Sequence, residues 1–191
     1  MIAASCPSWF PLVLTALCLA ACANAGEGPP AGNTASEVNV EKIPALTALC
    51  LPVVGSYGQT TAAITKLMMY AGPKGLSRGA PFGVYYSDPE EVAEDSLRWA
   101  ICVPVAAGAK AEGPFQVKEF PEMEAASVLC TGPYEAAASC WGVLSTWLAG
   151  SAYHLAGAPQ EHWLSDPQGV PPEKQQARIL FPVVRKEPDP R

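Results

Sequence analysis

An internal duplication constrains the fold of this chain more than any other sequence feature. With an offset of 77 residues, the first copy matches the second at Val40, Pro44, Ala48, Gly55 and Tyr57. With an offset of 78, the matches continue at 79–81 (Gly-Ala-Pro), 87–89 (Ser-Asp-Pro), Ile101, Pro104 and Val105. A repeat of this length indicates two similar structural units. We therefore expect one domain, 38–184, made of two halves, 38–105 and 115–183.

Each half shows the same succession of hydrophobic patterns. An apolar run of strand length leads to a Gly-x-Tyr turn, a stretch with helical spacing, and two further apolar runs. The expected strands and helices are 46–54, 60–71, 82–86 and 98–105 in the first half, and 123–131, 135–149, 161–164 and 177–184 in the second. We predict an α+β fold of duplicated strand-helix-strand-strand units, with a mostly antiparallel sheet and two main helices on one face.

The first 37 residues have the pattern of an export signal followed by a linker. The apolar stretch 9–21 is too short to span a bilayer comfortably and is typical of a secretory signal. It ends at 19–22 (Leu-Ala-Ala-Cys), which resembles the lipobox of bacterial lipoproteins. We predict a signal at 1–22 with lipidation of Cys22, a flexible tether at 23–37 and a polar tail at 185–191.

This pattern predicts a lipid-anchored protein of the cell envelope that faces the periplasm. Two alternatives stay open. The segment 23–25 (Ala-Asn-Ala) fits an ordinary cleavage site, which would release the domain, and an uncleaved signal would retain it.

Charge and cysteine spacing exclude several classes of site. The net charge is −6 and no run of Lys or Arg occurs, so nucleic-acid binding is not expected. Neither histidine has a Cys or acid at metal-ligand spacing, and we expect no metal or cofactor. The domain contains Cys50, Cys102, Cys130 and Cys140, none of them in a C-x-x-C motif. Export would permit disulfides, with three pairings open, but we expect buried free thiols.

Short motifs in the second half add a family resemblance. They are Gly132-Pro133-Tyr134-Glu135, Trp141, Trp147-Leu148, Glu161-His162-Trp163, Asp166-Pro167 and Ile179-Leu180-Phe181-Pro182-Val183. Their order, together with the duplication, resembles the GyrI-like domain, which is also the effector-binding part of some AraC-type and MerR-type regulators. The resemblance covers about 38–184. It implies two units paired about a pseudo-twofold axis, with a cleft between them for hydrophobic, cationic or planar molecules.

The resemblance also points to site residues. Glu161 matches the pocket glutamate of the family, which usually stands in a Glu-x-Tyr motif. Trp163 replaces that tyrosine here, which keeps an aromatic face but loses a hydroxyl. A partly buried carboxylate among aromatic side chains can hold a cation. We expect Glu161 at the floor of the cleft, with Trp163, Tyr85 and Trp141 along its walls; otherwise Glu161 is a surface residue on an edge strand.

The predicted function is capture of a small hydrophobic or cationic molecule by an envelope-anchored binding protein. One alternative is a GyrI-like hydrolase of electrophilic small molecules that uses Glu161 as a general base. Another is a protein-interaction module, because 85–89 also resembles the membrane-anchored GyrI-like domain of a eukaryotic autophagy receptor. No helix-turn-helix pattern is found, so transcriptional control is not expected. The symmetric positions of Tyr57 and Tyr134 suggest a structural role.

Overall fold

A computed structural model describes residues 33–187 and contains ten β-strands and two α-helices in that range. The strands are β1 (Thr34–Ala35), β2 (Asn39–Ile43), β3 (Leu46–Val54), β4 (Phe82–Tyr85), β5 (Arg98–Pro104), β6 (Gln116–Phe120), β7 (Met123–Thr131), β8 (Tyr153–Leu155), β9 (Gln160–Trp163) and β10 (Gln176–Arg185). The helices are α1 (Thr60–Ala71) and α2 (Ala138–Gly150). The fold is α+β, with an antiparallel sheet and two main helices, and confirms the predicted class.

Each half contains the predicted order of strand, helix, strand and strand. The bounds of β3, β7 and α1 are those expected from the hydrophobic runs. Helix α2 starts at Ala138 instead of Glu135, because Tyr134–Ala136 form a 3-10 turn before it. The leading strands β2 and β6, and the short strands β1 and β8, were not predicted.

The strands form one sheet whose centre joins the two halves. Along the sheet the order is β1-β7-β10-β9-β4-β5-β3-β6, while β2 pairs with β7 and β8 pairs with β10. All of these named pairs are antiparallel. Strand β4 of the first half and β9 of the second pair directly, with Gly83 opposite Glu161. This central pair places the candidate carboxylate at the junction between the repeats.

The leading strand of each half pairs with the other half. Strand β2 precedes the first half, yet it pairs with β7 from Asn39↔Ser127 to Ile43↔Met123. Strand β6 precedes the second half and pairs with β3 from Leu46↔Phe120 to Cys50↔Gln116. Each end of the sheet is therefore completed by a strand from the opposite repeat.

Both helices pack through residues at helical spacing. Helix α1 buries Ala63, Leu67 and Ala71, which are four residues apart and lie on one face. Helix α2 buries the equivalent stripe of Cys140, Trp141, Leu144 and Leu148. These residues join one core cluster with alternate residues of the sheet, among them Leu49, Ile101, Val128 and Ile179.

The other face of the sheet has a smaller apolar cluster. Its buried residues are Ala48, Cys50, Phe82, Val84, Ala100 and Cys102. Because side chains alternate along a strand, Cys50 lies on this face while Leu49 and Leu51 lie on the helical face. Phe120 of the exchanged strand β6 packs edge-on against Phe82, with ring centroids 5.6 Å apart.

The prediction of free thiols in the domain is wrong. Cys50 forms a disulfide with Cys102, its direct partner across β3 and β5. Cys130 forms a second disulfide with Cys140, which links β7 to α2. The sequence spacing did not reveal these pairs because the first depends on strand register and the second on how α2 docks.

The predicted boundaries of the tether and tail also need correction. Thr34 and Ala35, assigned to the tether, pair with Thr131 and Cys130, and Asn33 donates to the Pro133 carbonyl at 3.0 Å. Strand β10 extends to Arg185, which was assigned to the tail. The predicted signal and Cys22 lie outside the described residues. Within 33–187, no helix is long and apolar enough to cross a membrane.

Candidate functional site

The four side chains predicted to form the site lie together on the helical face of the sheet. Glu161 and Trp163 are on β9, Tyr85 ends β4, and Trp141 is on α2. The Tyr85 hydroxyl donates to Glu161 Oε2 at 3.2 Å, and its ring meets that of Trp141 edge-on at 5.3 Å. The two tryptophan side chains also hydrogen-bond the Glu161 carboxyl. One carboxylate is thus surrounded by three aromatic donors.

Gly83 creates the space in which Tyr85 reaches this carboxylate. It lies directly opposite Glu161 in the β4–β9 pair. A Cβ atom at Gly83 would lie 2.8 Å from the Tyr85 hydroxyl oxygen and 2.9 Å from its Cζ atom. Only glycine leaves room for the ring to fold back over its own strand.

The phenol missing from position 163 is supplied by the other half. Under the 78-residue offset, Tyr85 is the counterpart of Trp163 and Gly83 is the counterpart of Glu161. The loss of hydroxyl predicted from the Trp163 substitution is therefore offset by Tyr85 across the pseudo-twofold axis. The repeat alignment relates Tyr85 to Trp163. It does not show that the Tyr85 hydroxyl lies within hydrogen-bonding distance of Glu161.

Burial controls the protonation of this pair. Glu161 is 7% exposed and Tyr85 is 8% exposed. Burial raises the pKa of Glu161 from 4.5 to about 7, while the hydrogen bonds from Tyr85, Trp141 and Trp163 oppose the rise. Burial, and then the negative charge of Glu161, raise the pKa of Tyr85 well above its ordinary value. Tyr85 therefore remains a donor, whereas Glu161 changes charge near neutral pH.

Further aromatic residues surround the four predicted ones. Tyr57 meets Tyr85 edge-on at 5.1 Å and Trp99 at 5.8 Å, and Trp141 contacts Phe181 at 5.6 Å. The sequence prediction did not place Trp99 and Phe181 in the site. Trp99 was detectable only as an aromatic residue in a strand next to β4.

Tyr57 and Tyr134 fix equivalent turns in the two halves. The Tyr57 hydroxyl donates to the Ser87 carbonyl at 2.6 Å, and the Tyr134 hydroxyl donates to the Ser165 carbonyl at 2.8 Å. These bonds tie the start of each helix to the Ser-Asp-Pro turn of the same half. Tyr57 has a second role, because its ring also contacts Tyr85.

The four residues predicted to line the cleft are buried. Glu161, Tyr85, Trp141 and Trp163 are each less than a tenth exposed, and a ligand cleft at this place stays a prediction. A surface groove of about 620 Å³ lies elsewhere, near the β6 edge of the sheet. It is lined by Ala45, Leu46, Thr47, Val105, Ala107, Glu119, Phe120 and Pro121. The groove contains none of the predicted site residues.

The two histidines lie apart from the carboxylate site. His154 is exposed on β8. His162 is on the opposite face of β9 from Glu161, where its ring stacks on Phe82 at 4.6 Å and bonds Gln160 at 2.9 Å. Burial lowers the pKa of His162 to about 4. Within residues 33–187, no group of three or more His, Cys, Asp or Glu side chains is placed to hold a metal ion.

Comparison with known proteins gives one family and several similar structures. The family described as "GyrI-like small molecule binding domain" matches residues 36–184. The cryo-EM structure of an EcmrR–DNA complex has a TM-score of 0.71 at 20% identity. The match spans 78% of this chain and 58% of the length of the EcmrR chain. The crystal structure of the EcmrR C-terminal domain has a TM-score of 0.69 at 20% identity, with coverage of 78% and 98%.

A third similar structure contains a bound molecule. The structure of SAV2435 bound to tetraphenylphosphonium has a TM-score of 0.54 at 12% identity, covers 78% of this chain and is covered over 94%. At these identities the likeness shows the fold alone. No curated protein matches the chain.

Proposed function

Because the chain belongs to the GyrI-like small-molecule-binding domain family, we propose that it binds a hydrophobic cation at Glu161, between the aromatic side chains of Tyr85, Trp141 and Trp163. The family assignment supplies the general function, small-molecule binding. The nature of the ligand and the residues that contact it are the proposal.

The observation that carries this proposal is a buried carboxylate with aromatic donors but no cationic partner. Within residues 33–187, no Lys, Arg or His forms an ion pair with Glu161. A buried charge without a counterion is costly, and its hydrogen bonds compensate only in part. A ligand cation would supply the missing charge, and the neighbouring rings would add cation–π attraction. SAV2435, which shares the fold, was solved with a ligand of this chemical class.

Paired titrations with a cation and a neutral analogue test the proposal. Tetraphenylphosphonium and the neutral triphenylphosphine oxide are titrated while the fluorescence of the tryptophans is followed. We expect Glu161→Gln to weaken the cation at least tenfold, since the Coulomb attraction between a carboxylate and a cation about 8 Å apart is roughly 2 kcal/mol at an effective dielectric constant of about 20. The neutral compound should change little. Glu135→Gln, an exposed glutamate before α2, is the matched control. Equal loss of both compounds, or no loss of either, would remove Glu161 from the site.

One observation also favours a hydrolase as a second candidate. The Tyr85 hydroxyl lies 3.2 Å from Glu161 Oε2, so a base and a phenolic acid stand side by side. In this mechanism the Glu161 carboxylate takes a proton from water as the water oxygen attacks an electrophilic carbon, and Tyr85 donates a proton to the leaving group. Turnover of an activated aryl ester should then disappear in both Glu161→Gln and Tyr85→Phe. Turnover that persists in both variants would exclude this candidate.

We further propose that the domain is exported and anchored by lipid at Cys22. The support is the apolar stretch 9–21 followed by Leu-Ala-Ala-Cys. The envelope location and the periplasm-facing orientation rest on the same segment. Cys22→Ser should abolish lipid labelling and move the protein from the membrane fraction. Unchanged fractionation of this variant would contradict the proposal, and the binding function of the domain would be unaffected by that result.

A further inference from the structure

The surface groove lies at one end of the sheet, where β5 and β6 end and β3 begins. Its volume of about 620 Å³ is within the range of small-molecule pockets. The repeat offsets assign each lining residue a counterpart in the other half. Three lining residues are short where their counterparts are long and charged: Ala45 for Glu122, Thr47 for Glu124, and Ala107 for Arg185. The two halves therefore build this place differently.

The charges at the two equivalent places also differ. In the second half, Lys42 lies opposite Glu124 across β2 and β7 and forms an ion pair with Glu122 at 3.8 Å. In the groove, Glu119 is the counterpart of Lys42 and lies opposite Thr47 across β6 and β3. Within residues 33–187, no cationic side chain forms an ion pair with Glu119. The groove thus has one carboxylate and lacks the cation that its counterpart contains.

Apolar side chains line the rest of the groove. Leu46 and Phe120 are partners across β3 and β6, and Val105 follows the end of β5. Val105 is buried, whereas Leu46 and Phe120 are half-buried and keep part of their apolar surface in water. Such surface is stabilised when an apolar group covers it. An occupant that matches the groove therefore has an apolar body and one positive charge.

We propose that this groove is a second binding site, which shares no residue with the site around Glu161, and that it takes a primary alkylammonium ion. The ammonium group pairs with Glu119 and donates to the Thr47 hydroxyl, while the alkyl chain covers Leu46 and Phe120. Residues that lie opposite each other on neighbouring strands have Cβ atoms about 5 Å apart, so one compact ammonium group reaches both. An aryl phosphonium does not, because its rings enclose the charge.

Hexylammonium and the neutral hexanol test this proposal on the full chain. Both are titrated into isotope-labelled protein at about pH 7.5, where the amine is cationic, and the backbone amide signals are followed by NMR. We expect the signals of Thr47, Ala107 and Glu119 to shift. Hexylammonium should bind the groove about fivefold more tightly than hexanol, which is the upper range for an ion pair in contact with water.

Glu119→Gln tests the role of the charge. This variant should bind hexylammonium only as tightly as hexanol, and its affinity for hexanol should equal that of the wild type. Glu173→Gln is the matched control, because Glu173 is also exposed and forms no ion pair within the described part of the chain. It should keep the fivefold preference. A preference that persists in Glu119→Gln would overturn the proposal.

Ala107→Arg tests the role of the short side chains. It introduces the arginine that the second half has at the equivalent position, so a long side chain and a competing cation enter the groove. Hexylammonium affinity should fall at least fivefold, whereas Ala107→Ser should bind as the wild type does. Ala107 is exposed, so neither change disturbs the core. Unchanged affinity in Ala107→Arg would show that the ligand does not occupy the groove.

The NMR signals separate this inference from the function proposed for Glu161. If hexylammonium shifts only the amides of Tyr85, Glu161 and their neighbours, the second site is wrong and the proposed function stands. If the groove signals respond equally to hexylammonium and hexanol, or to neither, the second site is also wrong. Shifts at Thr47 and Glu119 that persist in Glu161→Gln and lose their charge preference in Glu119→Gln would establish it.

Discussion

The carboxyl of Glu161 should make the stability of the domain decrease as pH rises towards neutrality. Burial raises its pKa from 4.5 to about 7 in the folded state. Between those two pH values the folded protein holds a proton that the unfolded chain has released, so stability falls as pH increases. The contribution of Glu161 is fully present below pH 4.5 and is lost once the pH passes about 7. The difference in pKa corresponds to about 3 kcal/mol.

Glu161→Gln isolates this effect, because an amide of nearly the same shape does not ionise. The difference in unfolding free energy between variant and wild type should shift by about 3 kcal/mol in favour of the variant between pH 4.5 and pH 8. Urea unfolding at pH 4.5, 6 and 8, with both disulfides kept oxidised, measures it. All other titrating groups are shared, so their effects cancel in the comparison.

The comparison has a control and a clear contrary result. Glu135→Gln, at an exposed position, is the control for the loss of one carboxyl group. If the curves for Glu161→Gln and wild type stay parallel within about 0.5 kcal/mol, the folded carboxyl ionises at its ordinary pH. The site would then be better hydrated than the packing of Tyr85 and Trp141 indicates.

Three further predictions concern the scaffold. Gly132 has a φ of +139°, and a Cβ atom there would meet the Asn33 side chain. Gly132→Ala should therefore destabilise the domain by about 1–3 kcal/mol and speed hydrogen exchange in β1. Unchanged exchange would contradict this. Removing both cysteines of the disulfide between β3 and β5, which spans 52 residues, should lower the free energy of unfolding by about 4 kcal/mol. Removing the disulfide between β7 and α2, which spans 10 residues, should lower it by about 3 kcal/mol. The reverse order in urea unfolding would refute the loop-entropy argument. Because burial lowers the pKa of His162 to about 4, its stabilising contribution is present above pH 6.5 and is lost as pH falls towards 4. NMR titration, with His154→Gln to assign the two rings, should show a midpoint for His162 near pH 4, and a midpoint above 6 would contradict the burial.

The sequence predicted those strands and helices whose apolar residues form a recognisable pattern within the element's own sequence. Strands β3 and β7 are apolar runs buried between other strands, and the spacing of Ala63, Leu67 and Ala71 defines the buried stripe of α1. The leading strands β2 and β6 were not predicted because they are only half-buried. Their mixture of exposed and partly buried residues differs from the pattern of a core strand and from that of a surface loop. Their pairing with the opposite half depends on tertiary geometry that a local pattern does not contain.

The sequence predicted which side chains come together around Glu161 but not how they pack. Glu161, Trp163, Tyr85 and Trp141 come together as expected, since the repeat alignment and the family motifs both pointed to the junction. Their packing depends on the absence of a Cβ at Gly83, which leaves room for the Tyr85 ring. The rotamers of buried side chains depend on the packing of the whole cluster, and this packing cannot be read from the order of residues in the sequence.

The pairing of each leading strand with the opposite half determines the sequence of events when the chain folds. Partners in the β2–β7 ladder are 80 or more residues apart, from Ile43↔Met123 to Asn39↔Ser127. During synthesis, the first half therefore emerges with β2 lacking its ladder and with the outer edge of β3 uncovered until β6 follows. Neither repeat can complete its sheet alone, so an isolated half could do so only by borrowing a strand from a second copy. The duplicated gene thus encodes in one chain the assembly that two separate halves would need to form as a strand-exchanged dimer.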